Sequence, residues 1–397
     1  MHLSLQRPRY AILALLAVLV VVTSASSAPG DEWQARESQL VAVVRARFYD
    51  RARAEAWSGE NQHFCKGVHD RAGFDEAARQ AVQKLGRSHT AFYTADEPRY
   101  HGLRAIFPGA LNLRPDQVAV ESIGVDVTPD GFVRVIFAGS PAASSGLRRG
   151  DRILRADDRP FQPIASFRGR EGKRVTLSVQ RHKDAKPLEI VVVPRRIDPR
   201  QEWLDDQEKG ARVVDHGSKK IAIMRLFSAA GEAHEERIRD AIAGPFAGAD
   251  ALILDLRDGW GGAAPTFLNL FNRTPPVLEQ KGRDGKGLKF DTQWRKPLVL
   301  LINEGSKSGK EIVAYAVKKH KLGKLVGTSS GGAVLAGTPI RFDDRSILYL
   351  AVADVRVDGE TLEGVGVRPD EPVTDALPFA DGRDPQLERA LDVAAKE

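Results

Sequence analysis

The stretch Leu301-Ile302-Asn303-Glu304-Gly305-Ser306-Lys307-Ser308-Gly309-Lys310-Glu311 decides how the rest of the chain reads. Before it stand Pro297-Leu298-Val299-Leu300, an apolar run bounded by a proline, which predicts a buried strand. From Glu311 to His320 the apolar residues recur at the spacing of a helix that covers a sheet. Small and polar residues at such a junction place Ser308 at or near the helix N-terminus. Unpaired backbone N–H groups and the positive end of the helix dipole gather there. A serine so placed can attack a carbonyl, and the Gly309 amide can help hold the resulting oxyanion. The same serine also reads as a plain N-cap. The remainder of the chain has to decide between the two.

At 397 residues the chain exceeds a single core of ordinary size and predicts two or three domains. The net charge is +6, but basic residues alternate with acids, as in Arg51-Ala-Arg-Ala-Glu55 and Glu235-Glu-Arg-Ile-Arg239. That pattern is a solvated surface, and no nucleic-acid partner is expected. At the N-terminus, Arg7 and Arg9 precede the apolar run Ala11–Val22 and the small-residue exit Thr23–Ala28. This is the pattern of a secretory signal peptide over residues 1–28, cleaved after Ala25 or Ala28, with Pro29 arguing against the latter. The body is then exported, to the periplasm or another extracytoplasmic space. The one expected membrane link is an uncleaved N-terminal anchor. Cys65 is the sole cysteine, which excludes an internal disulfide and a cysteine-built metal site. The nine histidines are scattered without ligand-pair spacing, so neither metal nor cofactor is expected.

Residues 29–112 read as a helical N-terminal region, with apolar spacing of three and four over Gln39–Tyr49 and Phe74–Leu85. Gly86-Arg87-Ser88-His89-Thr90 breaks the pattern. His89 is a base in principle, but with no carboxylate partner visible it reads more simply as a hydrogen-bonded structural histidine. From about residue 119 short β runs take over, at Ile123–Val127, Phe132–Ile136, Arg152–Ala156, Val175–Val179 and Leu188–Val193. Between them, Gly139-Ser-Pro-Ala-Ala-Ser-Ser-Gly-Leu-Arg-Arg-Gly-Asp-Arg-Ile-Leu-Arg-Ala-Asp157 predicts a short helix closed by Gly146 and a turn at Gly150-Asp151.

That run resembles a PDZ domain of the bacterial protease-associated type, spanning residues 113–197. The resemblance implies that a protein or peptide C-terminus adds as a strand beside Ile123–Val127. Its carboxylate would be held by backbone amides near Ile123, Gly124 and Val125. A β-domain with no ligand role is the plainer alternative.

Residues 198–397 alternate strands and helices: Ile221–Phe227, a helix near 230–243, Ala251–Leu256, and a glycine-rich loop Arg257-Asp258-Gly259-Trp260-Gly261-Gly262 opening another helix. The Ser308 junction, Lys324–Gly327 and Ser329-Ser330-Gly331-Gly332 follow. Such alternation implies an α/β layer with its loops gathered at one end. In this order the pieces resemble the C-terminal processing (tail-specific) protease family. Asp255-Leu-Arg-Asp-Gly-Trp-Gly-Gly262 matches its Asp-Leu-Arg-x-Asn-x-Gly-Gly loop, and Asn303–Glu311 its nucleophile segment. Leu362-Glu-Gly-Val-Gly-Val-Arg-Pro-Asp370 matches its Gly-x-x-Pro-Asp finish. The resemblance covers nearly the whole mature chain. It implies an α+β multidomain protein with a helical N-terminal region, a PDZ β-domain and a ClpP/crotonase-like α/β protease core. It also implies acyl transfer to Ser308, with an oxyanion hole from Gly309 and the Gly261-Gly262 turn.

The chain departs from the family at the general base. The family's lysine position falls on Ala333, and Ala222, Ile223 and Met224 offer no histidine on the first core strand. Lys310 is the nearest lysine on the C-terminal side of Ser308. However, residues i and i+2 of a helix point to different sides, so a direct dyad needs a non-helical junction. A base from the N-terminal region such as His89, or no base at all, remains open. Glu311 orients Lys310 or Ser308, or simply favours the helix start electrostatically. Two functions follow. One is an exported serine endopeptidase that recruits protein C-termini through its PDZ domain. The other is a catalytically impaired PDZ-bearing binding or scaffold protein, which Ala333 favours.

Overall fold

The computed structural model of the protein describes residues 31–283, 285–343 and 345–397. The expected signal segment, residues 1–28, lies outside the described residues. Helices α1 (Asp31–Arg47), α2 (Arg51–Glu60) and α3 (Arg71–Gln83) open the described chain. Asp50 and Asp70 cap α2 and α3 by accepting from the amides of Arg53 and Gly73. In α3, Phe74, Ala78, Ala81 and Val82 are buried, a helical stripe. The N-terminal region is not wholly helical, because strand β1 (Ala91–Thr94) precedes helix α4 (Pro98–Ile106).

Residues 120–197 form a β-unit. The strands Arg152–Ala156, Arg159–Pro160, Val175–Gln180 and Leu188–Val192 make a four-stranded antiparallel sheet, and Val125–Val127 pairs with Val133–Ile136. Alternate strand residues Val175, Leu177 and Val179 share one core with Ile123, Val133, Leu147 and Phe167. The short helix expected before Gly146 is a single 3₁₀ turn, Ala142–Ser144.

Helix α5 (Pro199–Lys209) leads into β2 (Arg212–His216) and β3 (Lys219–Arg225). Then come α6 (Glu232–Ala243), β4 (Ala251–Asp255), β5 (Leu298–Ile302), α7 (Gly309–Lys319) and β6 (Lys324–Gly327). Strands β7 (Ala336–Arg341), β8 (Ser346–Ala353) and β9 (Glu371–Pro372) and helix α8 (Pro385–Lys396) follow. The central sheet has the order β2-β3-β4-β5-β6-β9, parallel throughout except for antiparallel β2. Its inner strands are buried on both faces, which explains their continuous apolar runs. Leu252, Leu254, Leu298 and Leu300 pack toward α6 and α7, while Ile253, Val299 and Leu301 pack toward α8. Parallel strands place the segments after β3, β4, β5 and β6 at one edge of the sheet.

After β4 the expected helix is replaced. Gly259 at φ 71° and Gly262 at φ 96° hold an open loop, and only a 3₁₀ stretch, Pro265–Phe271, follows. A second sheet, β1-β8-β7, joins the N-terminal region to the C-terminal part, with Ala91 opposite Tyr349 and Phe92 opposite Leu348. One core mixes Trp33, Leu40, Trp57 and Phe74 with Leu335, Phe342 and Leu348. The N-terminal helices therefore pack as part of the core unit. That strand pairing carries the segment just before β1 to the loop edge of the central sheet.

Candidate active site

The turn Asn303–Ser308 is held from three sides. Ser306 is fully buried, and its hydroxyl donates to Leu256 O at 2.9 Å and accepts from the Asn303 amide. Asn303 Oδ1 accepts from the amides of Gly305 and Asp258, both at 3.0 Å. The Ser308 N–H is shared between Ala333 O at 2.8 Å and Glu311 Oε2 at 3.1 Å. So constrained, Ser308 sits at φ 57°, ψ −126°, a conformation that L-residues rarely adopt. A tight strand-to-helix turn of this kind lifts a side chain above the sheet edge. Ser308 borders a cavity of about 400 Å³.

The glycine loop meets this turn at van der Waals range. A Cβ on Gly261 would stand 2.7 Å from Ser308 Cβ, and one on Gly309 would stand 2.9 Å from Gly262 N. Neither glycine tolerates a side chain. The structure thus brings Ser308, Gly309, Gly261 and Gly262 together, as expected from the sequence. Ser308's own amide is engaged, whereas the Gly309 amide opens α7 and has no intrahelical acceptor.

Lys310 goes elsewhere. It is fully buried and does not line the cavity, and its ammonium donates to Asp258 O at 2.7 Å and Phe227 O at 3.1 Å. Burial brings its pKa down to about 7, against the pull of Asp255 and Asp258. The structure does not bring Lys310 to Ser308, because two helical positions turn its side chain beneath the glycine loop. Glu311 orients the site's backbone instead. Its carboxylate is buried and accepts from Ser330 Oγ and from the amides of Gly332, Ala333 and Ser308. Burial pushes its pKa up, while those hydrogen bonds pull it back. Ala333 is buried on the cavity wall.

His89 shares the cavity with Ser308, and no hydrogen bond joins the two. Its Nδ1 lies 3.0 Å from Ser88 Oγ, and Ser88 Oγ lies 2.7 Å from Glu363 Oε2. Glu363 also accepts from the amides of Ser88 and Val334. An ionised carboxylate only accepts, so the single Ser88 proton goes to Glu363. His89 Nδ1 must then be the protonated nitrogen and donate to Ser88 Oγ. That leaves Nε2 with a free lone pair. Burial lowers the His89 pKa, Glu363 opposes this, and Lys307 adds to it. Sequence reasoning missed Ser88 and Glu363. The only signals were the Gly86–Thr90 break in helical spacing and the Leu362–Asp370 match, which lie far apart in the chain.

The expected peptide-binding residues have mixed surroundings. Ile123 is fully buried, Gly124 sits at φ 78°, and Val125 pairs with Ile136. The Gly124 amide already donates to Ser122 Oγ at 2.9 Å. Glu202 lies against Gly124, where a Cβ would stand 2.7 Å from Glu202 Oε1, and burial lifts that carboxyl to about 8. Cys65 is buried with its thiol pushed up to about 12, which makes it a poor nucleophile.

Residues 220–373 match the family model described as Peptidase family S41. A carboxy-terminal-processing protease of Bartonella bacilliformis is 27% identical over 277 residues, covering 64% of this chain and 62% of that protein. A carboxyl-terminal-processing protease of Synechocystis sp. is 24% identical over 371 residues, covering 85% of each. The solved structure of a photosystem II D1 C-terminal processing protease matches with a TM-score of 0.50 at 20% identity. It covers 91% of this chain and 97% of that one, a likeness of fold. The chain spans less than two thirds of the length of the Bartonella relative.

Proposed function

We propose that this chain, whose residues 220–373 match peptidase family S41, is a serine endopeptidase with Ser308 as nucleophile and His89 as general base. The observation that carries the reading is the His89–Ser88–Glu363 chain opening onto the cavity beside Ser308. His89 Nε2 takes the Ser308 proton as Oγ attacks the scissile carbonyl, and later returns it to the leaving amine. Glu363, acting through Ser88, favours the imidazolium that forms. The amides of Gly309 and of the Gly261-Gly262 turn receive the oxyanion, a contribution of about 3 kcal/mol per donor. The alternative of an impaired scaffold rests on Ala333, and His89 as base would answer it.

The β-unit over residues 113–197 is the proposed PDZ domain. It recruits a protein C-terminus along the edge of Val125–Val127 that faces away from Val133–Ile136. Export completes the proposal and rests on the sequence of residues 1–28. Among the described residues no helix is long and apolar enough to cross a membrane.

The test is intact-mass analysis after a fluorophosphonate probe, with Ser308→Ala and His89→Gln beside the wild type. One adduct on the wild type, none on Ser308→Ala and strongly slowed labelling of His89→Gln is the expected pattern. An unlabelled wild type that still binds a peptide C-terminus would return the protein to the scaffold reading.

A further inference from the structure

The cavity beside Ser308 has one chemical feature that acyl transfer does not use. Arg87, Arg99 and Lys307 line it, and no aspartate or glutamate does. Among the described residues, none of the three cations has an ion-pair partner. Arg99 is half-buried, with its guanidinium 4.6 Å from the centre of the Trp260 ring and Nη1 donating to Gly259 O at 3.1 Å. Among the described residues its other guanidinium N–H groups make no hydrogen bond. Lys307 is exposed and immediately precedes Ser308, and among the described residues its ammonium has no hydrogen-bond partner. Burial lowers the Lys307 pKa, and repulsion from Arg99 and Arg134 adds to this against Glu311 and Glu304.

Acids outside the lining offset that repulsion in part, Asp126 acting on Arg99 and Glu311 and Glu304 on Lys307, but none forms an ion pair with either cation among the described residues. Asp126 pairs with Arg134 at 2.9 Å, and Asp258 lies 3.7 Å from the same guanidinium, both outside the lining. Arg87 and Lys307 are exposed and Arg99 is half-buried, so the three charges stay solvated, but they repel one another and an arriving anion relieves that repulsion. Ile106, Phe107, Leu335 and Tyr349 add apolar surface to the same lining. Such a site favours a peptide segment with apolar side chains and one negative group close to the reacting carbonyl.

Resting on the peptidase reading, we propose that Arg99 and Lys307 bind a carboxylate of the substrate, so that cleavage occurs beside an acidic group. The carboxylate comes from an aspartate or glutamate side chain or from the substrate's own C-terminus. Both sources offer the two-oxygen acceptor that a guanidinium and an ammonium recognise.

The test uses fluorogenic peptides differing only as Glu against Gln at each position flanking the scissile bond, each with a free or an amidated C-terminus. The expected result is a kcat/KM at least about tenfold higher for the carboxylate member of one pair. That ratio collapses in Arg99→Gln and Lys307→Gln and shrinks as salt is raised. A ratio confined to the Glu/Gln pairs assigns the side chain, and one confined to the acid/amide pairs assigns the terminus. Equal rates for all pairs would overturn the proposal while leaving the peptidase standing. In parallel, the same peptides are titrated onto the Ser308→Ala protein by calorimetry. A carboxylate preference there without hydrolysis by the wild type keeps the anion site and sinks the peptidase reading. No preference in binding or in rate ends the proposal.

Discussion

The Ser88 hydroxyl donates to Glu363 Oε2 at 2.7 Å across 275 residues of sequence, and that bond fixes which nitrogen of His89 carries the proton. Because Glu363 can only accept, Ser88 must accept from His89 Nδ1, and Nε2 is left basic.

Replacing Glu363 by glutamine reverses this chain. Placed at the Oε2 position, the new NH2 donates to Ser88 Oγ and deprives the Val334 amide of its acceptor; Ser88 then turns its proton toward His89 Nδ1 and puts the imidazole proton on Nε2. The expected result is a kcat lower by on the order of 10³–10⁴, with KM for a peptide little changed. Ser88→Ala removes the link but leaves the tautomer free, so its loss of kcat is smaller. An equal loss in both variants would mean that Glu363 acts through the fold, by its bonds to the Ser88 and Val334 amides, and not through the histidine.

The pH profile separates His89 from Lys310. A base acts only when unprotonated, so kcat/KM rises with pH through the base's pKa. Burial holds His89 below the ordinary histidine value, placing the half-maximum on the acid side of about 6.5. Lys310, brought down to about 7, would put it near neutrality. With His89 as base, Lys310→Met lowers kcat by roughly ten- to a hundredfold, because the Phe227 and Asp258 carbonyls lose their clamp and the glycine loop shifts. Its acid limb stays where the wild type's was. A limb near 7 that vanishes in Lys310→Met would make Lys310 the base.

Gly337 tests the position of His89 from outside the hydrogen-bond chain. A Cβ there would stand 2.6 Å from Tyr349 Cζ and 2.8 Å from His89 Cβ. Since Tyr349 packs on His89 with ring centroids 5.6 Å apart, neither side chain can yield without moving the imidazole. Gly337→Ala is expected to lower kcat at least about tenfold while costing only about 1–3 kcal/mol of stability, as overpacking does. Fluorophosphonate labelling rates and urea unfolding measure the two effects separately.

The protease-like core was legible because its signals are local. The all-apolar strands β4 and β5, the glycine loop and the Ser308 junction each announce themselves within a dozen residues. The four site residues Ser308, Gly309, Gly261 and Gly262 follow from parallel strands whose connections share one sheet edge. The proposed base was not legible, because Ser88-His89 and Glu363 meet only through the pairing of β1 with β8 and the bond from Val334 to Glu363. No periodicity records a contact of that sequence separation. Lys310 shows the reverse case. Sequence proximity to Ser308 suggested a dyad, while helix geometry turns the ammonium under Asp258.

His234 gives the fold a limit in acid. Its Nδ1–H donates to Gln207 Oε1 at 2.8 Å, and its Nε2 is buried with no partner among the described residues. Burial first, and then the Lys310 charge, brings its pKa down to about 4. Unfolded, it takes a proton near the ordinary value of about 6.5. Between these values the unfolded chain binds more protons, so stability rises with pH there and falls on acidification. Full protonation would cost on the order of 3 kcal/mol for this one group. His101, also brought down to about 4 by burial, acts in the same direction. An asparagine at 234 keeps a donor near the Nδ1 position without titrating. His234→Asn should therefore lose stability at pH 7 from poorer packing, yet lose less than the wild type between pH 6.5 and 4.5 in urea unfolding. An identical acid slope in both proteins would show that the orphan nitrogen does not set the limit and would shift it to His101.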